Sequence, residues 1–291
     1  MRKSIVAAAT ALTAVAAGLV VTVNARPATA ALGDVPADCH VSASAYRSDG
    51  HRLSYGYAAK KPSTKAFPGD MLGWVPTGLV TFAEIGDATF RSNVSLATHP
   101  TDGHIYTVDR TASLVDGVWK ITKHKVTRVK SGFAGTRFIT MAWPYVYRAA
   151  GTSLYRYKFA YSDGKPTLSA PVQIPGTAWG NVRTLSYQRS AATGNADILL
   201  GTKANGELKE WRIDYATPAK LSSKVLKASG WASFASVGTG YCDAHPKARV
   251  LLGIKADGSA SVHFDANRTD GLGTDIKGGS LGALGWTEKT Y

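Results

Sequence analysis

Four tryptophans and a phenylalanine recur along the chain at places where an aromatic ring could hold a sugar. Trp74, Trp179, Trp231 and Trp286 each open a repeated unit, and Phe133 takes that place in the remaining one. A ring face packs on the C–H side of a pyranose, while an indole N–H or nearby amides hydrogen-bond its hydroxyls. Repeated around a scaffold, such weak sites gain strength through multivalency. The same spacing serves a second purpose. A large aromatic buries about 150–250 Å², and one bulky residue per repeat is also what sealing a closed ring of sheets requires. The residues alone leave binding and packing both open.

Other chemistry finds little support. A propeller glycosidase needs two carboxylates converging on its substrate, whereas the 20 acidic residues here are scattered. Asp49, Asp102 and Asp257 each precede a glycine and are explained by turns. There is no Ser-x-Asp-x-Gly-x-x-Trp box, no Gly-x-Ser-x-Gly elbow and no calcium-type Asp-x-Asp-x-Asp-Gly run. Of the seven histidines, His99 and His104 stand five apart across an expected turn, with no third ligand near them. The expectation is a binding protein and not an enzyme, with no catalytic residues, no metal and no cofactor. Residues 120–130 hold Lys120, Lys123, His124, Lys125, Arg128 and Lys130 without an acid. That run reads as a polyanion-binding patch or as an outer strand whose charges discourage edge-to-edge pairing.

What must position the aromatic residues is a repeat. Leu199-Leu200-Gly201-Thr202-Lys203-Ala204-Asn205-Gly206 returns 52 residues later as Leu251-Leu252-Gly253-Ile254-Lys255-Ala256-Asp257-Gly258, and Trp179 and Trp231 keep the same offset. Five turn signals recur, at Asp49-Gly50, Asp102-Gly103, Ala150-Gly151, Asn205-Gly206 and Asp257-Gly258, with glycine spacings of 53, 48, 55 and 52. Asn-Gly and Asp-Gly supply the positive φ angles of a tight hairpin. After each turn the pattern alternates: Leu53, Tyr55 and Tyr57 share one face, as do Tyr155, Tyr157 and Phe159, and Ala260, Val262 and Phe264. Further strands precede each turn, as at 184–188 and 198–203, and a fourth follows, as at 167–174. No helical period is sustained.

Four short strands per unit, repeated five times, predict an all-β fold, a five-bladed β-propeller of four-stranded antiparallel blades. Gly285-Trp286 restates the unit opening just before the chain stops at Tyr291, and the missing partner strands lie near residues 40–57. The last strand should therefore complete the first blade and leave no open edge. In the second unit a further Asp116-Gly117 competes as the repeat turn. Gly103 keeps the spacing regular, which makes residues 110–130 an enlarged connection plus outer strand.

Residues 1–30 read as an export signal cleaved after Ala30: Arg2 and Lys3 start it, an Ala/Val/Leu-rich run follows, and Ala28-Thr29-Ala30 has the small-x-small form. The mature chain, residues 31–291, is then one propeller domain, secreted and without a transmembrane anchor. Removing Arg2, Lys3 and Arg26 leaves 31 basic against 20 acidic residues, a charge of +11. That surplus suits acidic polysaccharide or other polyanions outside the cell, and export argues against nucleic acid. Cys39 and Cys242 are the two cysteines of an exported chain, and one disulfide between neighbouring blades at the closing seam is expected.

Gly-Trp, a strand, a polar turn ending in Asp/Asn-Gly, then an Ile/Leu-Tyr strand resembles the tachylectin-2-like propeller lectins. The best copy is Gly73-Trp74 followed by Thr98-His99-Pro100-Thr101-Asp102-Gly103-His104-Ile105-Tyr106, and Gly151-Thr152-Ser153-Leu154-Tyr155-Arg156 is similar. Gly206-Glu207-Leu208-Lys209 and Gly258-Ser259-Ala260-Ser261 lack the tyrosine. The resemblance implies five blades, amino-sugar sites in grooves between them, and no metal dependence. It points to recognition of cell-surface or cell-wall glycans. It also leaves room for a targeting subunit docked on other secreted proteins in an antibacterial particle.

Overall fold

Turn chemistry at the hairpin tips sets the architecture. The side chains of Asp49, Asp102, Asn205 and Asp257 each accept a hydrogen bond from the amide two residues on, at 2.8–3.3 Å. The glycines that follow, together with Gly151, all hold positive φ. The computed structural model describes residues 32–163, 165–176, 178–190 and 194–291, so the expected export signal lies outside the described residues. Between the turns the chain folds into successive antiparallel meanders.

The first meander is β1 (Cys39–Tyr46), β2 (His51–Ala58) and β3 (Lys61–Met71). The second is β4 (Gly78–Gly86), β5 (Phe90–Thr98), β6 (His104–Val115) and β7 (Val118–Ser131). The third has β8 (Thr136–Ala142), β9 (Tyr145–Ala150) and β10 (Ser153–Ser162), with β11 (Lys165–Leu168) and β12 (Val172–Ile174) both paired to β10. Next come β13 (Val182–Ser190), β14 (Ala196–Lys203), β15 (Leu208–Asp214) and β16 (Leu221–Lys227). The last is β17 (Phe234–Cys242), β18 (Arg249–Lys255), β19 (Ser259–Asp265) and β20 (Lys277–Ala283). After it, β21 (Lys289–Thr290) returns to pair with β1, Thr290 opposite Ala45 and Lys289 opposite Tyr46. Among the described residues there is no α-helix. An all-β chain of repeated four-stranded antiparallel sheets fits a β-propeller.

Each sheet is covered on both faces, which explains why the repeated Leu-Leu-Gly run is apolar throughout. Adjacent residues of a strand point to opposite faces. Leu199 accordingly packs with Tyr147 and Leu154 of the third meander, while Leu200 packs with Val237 and Leu251 of the last. Leu252 then turns the other way, onto Tyr55 and Trp286. The glycine of the motif permits close approach of the inner strand: a Cβ on Gly201 would lie 2.1 Å from Thr184 O, and one on Gly253 would lie 2.5 Å from a Phe234 ring carbon.

Two expectations about the strands change. Residues 110–130 hold the expected outer strand, β7, but no enlarged connection. β6 and β7 form one long hairpin from His104↔Ser131 to Val115↔Val118, turning at Asp116-Gly117, and Asp102-Gly103 is the repeat turn. The outer strand expected at 167–174 is split into β11 and β12, because Pro171 between them has no N–H to give a ladder.

Cys39 and Cys242 are joined by a disulfide that spans 203 residues of sequence. β1 and β17 pair only at Cys39↔Cys242 and His40↔Tyr241, so the bridge sits where the first and last meanders meet. In the chain-entropy model a loop of that length contributes about 5 kcal/mol. Cys39→Ser with Cys242→Ser should lower unfolding free energy by up to that amount, measured by urea titration against the parent chain. The parent should lose the same increment when reductant is added.

Candidate functional site

Three of the aromatic residues singled out by spacing occupy equivalent places in the fold. The backbone N–H groups of Phe133, Trp231 and Trp286 donate to the carbonyls of the turn glycines Gly103, Gly206 and Gly258 at 2.8, 3.0 and 3.2 Å. Each ring then points into the seam between consecutive sheets. Trp286 stacks on Tyr55 with centroids 4.7 Å apart, and its Nε1–H donates to Thr64 Oγ1 at 2.9 Å. Trp179 packs on Trp211 and donates Nε1–H to Pro175 O. Trp231 lies against Phe234 and His263, and Phe133 between Tyr157 and the Arg148 guanidinium. Phe133, Trp179, Trp231 and Trp286 are 1, 3, 5 and 3% exposed. Their faces are taken by protein groups, so the packing reading describes these four.

Trp74 differs. It is half-buried, in the same kind of seam between Tyr46 and Leu79, and its neighbours are polar. His99 and Tyr106 flank the indole at centroid distances of 4.7 and 5.8 Å. The Thr101 and Asp102 amides donate to His99 Nδ1 at 3.3 and 3.2 Å, which leaves Nε2 carrying the proton. His104 Nδ1 lies 2.8 Å from the Asp102 carbonyl and donates to it, so its Nε2 is an acceptor. Tyr106 Oη donates to the Asp102 carboxylate. What desolvation Asp102 suffers opposes its ionisation, but the Tyr106 hydroxyl and the His104 amide hold its carboxyl below the ordinary value. An aromatic face rimmed by one N–H donor, one imidazole acceptor and a hydroxyl–carboxylate pair can take a ring that is apolar on one side and hydroxylated at its edge.

A second concave feature, a cavity of about 920 Å³, runs along the inner strands and out between the first two meanders. Its wall is made by an irregularity in β3: His51 pairs with Met71 and Leu53 with Ala66, so residues 67–70 oppose Arg52 alone. Such a bulge re-aims side chains. It buries Asp70 completely, where Arg110 Nε donates to it at 2.7 Å and Arg52 Nη1 at 3.3 Å. Burial on its own would raise this carboxyl above its ordinary value, but the His124 ring, Arg110 and Arg52 together pull it down to about 2.

The basic run falls on β7, the outermost strand of its sheet. Lys123 pairs with Asp109 at 2.6 Å, Lys130 Nζ donates to the carbonyls of Leu168 and Ser169, and Arg128 lies 6.0 Å over the Tyr106 ring. Much of the run is therefore engaged within the protein. Among the described residues, no group of three or more His, Cys, Asp or Glu side chains converges to hold a metal ion, and no helix is long and apolar enough to cross a membrane.

No protein-family model matches the chain, and no curated protein matches it. Solved structures do. One is the BP39L lectin from Burkholderia pseudomallei, at 7% identity over 88% of this chain and 100% of that one, with a TM-score of 0.41. Another is a putative 6-phosphogluconolactonase from Bacteroides uniformis, at 12% identity over 84% of this chain and 67% of that one, with a TM-score of 0.38. A third is the periplasmic gluconolactonase of Pseudomonas aeruginosa, at 14% identity over 77% of this chain and 78% of that one, with a TM-score of 0.34. One expectation is corrected here. Two of these three structures are named as lactonases, so the missing motifs do not make this chain a non-enzyme, and that exclusion is withdrawn.

The Asp70 cluster carries a pH dependence. The folded value lies below the ordinary 3.8, so its pairing stabilises fully above that pH and is lost as pH falls through about 2. Asp70→Asn leaves Arg110 buried without its counter-charge. It should cost about 3–5 kcal/mol at neutral pH and flatten the acid limb of the stability curve, read by thermal melts from pH 7 to pH 2.

Proposed function

We propose that the chain is an exported, five-bladed β-propeller lectin that binds amino-sugar-containing glycans of a cell surface or wall. In this reading the ring closes where β21 completes the first blade, and the mature protein begins after Ala30. The observation that carries the sugar-binding reading is the Trp74 cluster. It joins a half-buried indole to polar groups of fixed donor and acceptor sense, His99, His104 and the Tyr106–Asp102 pair. It is also the copy that most resembles the tachylectin-2-like motif. On this account Trp74 contacts the sugar, while Phe133, Trp179, Trp231 and Trp286 hold the blades together.

A glycan array followed by titration calorimetry with N-acetylated sugars tests the reading. Binding to no amino sugar or wall polymer by the folded protein would remove it. Trp74→Ala should weaken sugar binding at least tenfold while leaving the melting temperature close to the parent's. Trp286→Ala should instead destabilise by about 3–5 kcal/mol, the cost of emptying a buried aromatic site.

A further inference from the structure

The repeats are near copies, yet one seam is built differently from the rest. β6 and β7 run for 12 and 14 residues, against 7 each for β15 and β16 and 7 each for β19 and β20. The extra length projects away from the Trp74 end. Arg91 pairs with Ala112, and Leu114 with Trp119, near the far tip of the hairpin. Facing this extension is the bulge at residues 67–70, which presents Phe67 to the same cavity.

The groove between these two walls is cationic. Arg52, Lys65, Arg91 and Arg110 line it, against the carboxylates of Asp70 and Glu84. Asp70 is already shared by Arg110 and Arg52. Lys65 and Arg91 make no ion pair among the described residues, and the buried Arg52 Nε has no hydrogen-bond partner. The charges are held in place by rings. Arg91 lies 4.7 Å over Trp119, while Arg52 and Lys65 lie 4.6 and 5.2 Å over Phe67. A cation fixed by its face on an aromatic ring keeps its N–H edge for another acceptor. Burial, with Arg91 and Arg52 nearby, pushes the Lys65 ammonium below its ordinary value, as expected of like charges gathered without a counter-ion.

We propose that this groove binds the anionic group of an acidic saccharide, with Lys65 and Arg91 as its donors. The proposal rests on the carbohydrate-binding reading for its ligand class and adds a second site, at the opposite end of the strands that carry the Trp74 cluster. The groove is one arm of the 920 Å³ cavity, whose remaining lining comes from the other meanders. Guanidinium forks match carboxylate and phosphate alike, so the shared chemistry is a sugar bearing one of those two groups.

The test is titration calorimetry on the folded mature chain with three probes: an oligogalacturonate, glucosamine 6-phosphate and N-acetylglucosamine. At least one acidic probe should bind tenfold or more tighter than the neutral sugar in low salt, and the margin should shrink as sodium chloride is raised. Preference for the oligogalacturonate assigns a carboxylate, and preference for the phosphate assigns a phosphoryl group. The double substitution Lys65→Gln, Arg91→Gln should abolish that margin while leaving N-acetylglucosamine binding and the melting temperature unchanged. Equal affinity for acidic and neutral probes overturns the anionic site and leaves the sugar-binding reading standing. An acidic preference that survives the double substitution overturns the assignment to this groove. Failure of all three probes to bind the folded chain overturns the site together with the reading beneath it.

Discussion

Burial on both faces of strands such as β14 and β18 is the constraint on which this molecule depends. A strand such as β14 places Leu199 on one neighbouring sheet and Leu200 on the other, so neither face is left for solvent. Sheets packed side by side in this way need bulky side chains to close the gaps between them. The aromatic residue opening each unit does so. At Phe133, Trp231 and Trp286 the amide is tied to the preceding hairpin tip, and the ring packs into the adjoining seam.

Charge is buried in the seams as well as apolar surface. Arg110 meets Asp70 between the first two meanders, and Tyr147 donates to Asp197 between the third and the next. Arg249 reaches both Asp265 on its own meander and Glu210 on the preceding one. Breaking one partner of such a set costs far more than the set adds over an apolar packing. These groups differ in type from seam to seam.

Much of this could be read from residues, because it is local. The Asp-Gly and Asn-Gly pairs mark the hairpins, alternation marks the strands, and the return of Gly285-Trp286 with no strands after it anticipates the pairing of β21 with β1. Binding versus packing could not be decided for the aromatic residues, since one ring per unit encodes both, and only burial separates Trp74 from the other four. The bulge at 67–70 left a faint trace in Pro68-Gly69, which interrupts a strand. That Asp70 would turn inward to meet Arg110, 40 residues away, was not legible at all. Such partners are selected by the three-dimensional neighbour and leave no periodic mark.

Consecutive meanders are tied by continuous backbone everywhere except where the last meets the first. There the Cys39–Cys242 link and the two-residue pairing of β21 with β1 stand in for the missing peptide connection. The covalent graph of the molecule is therefore a loop. A protease that nicks one exposed hairpin between Cys39 and Cys242 opens that loop into a line without severing it. Both fragments stay joined through the disulfide.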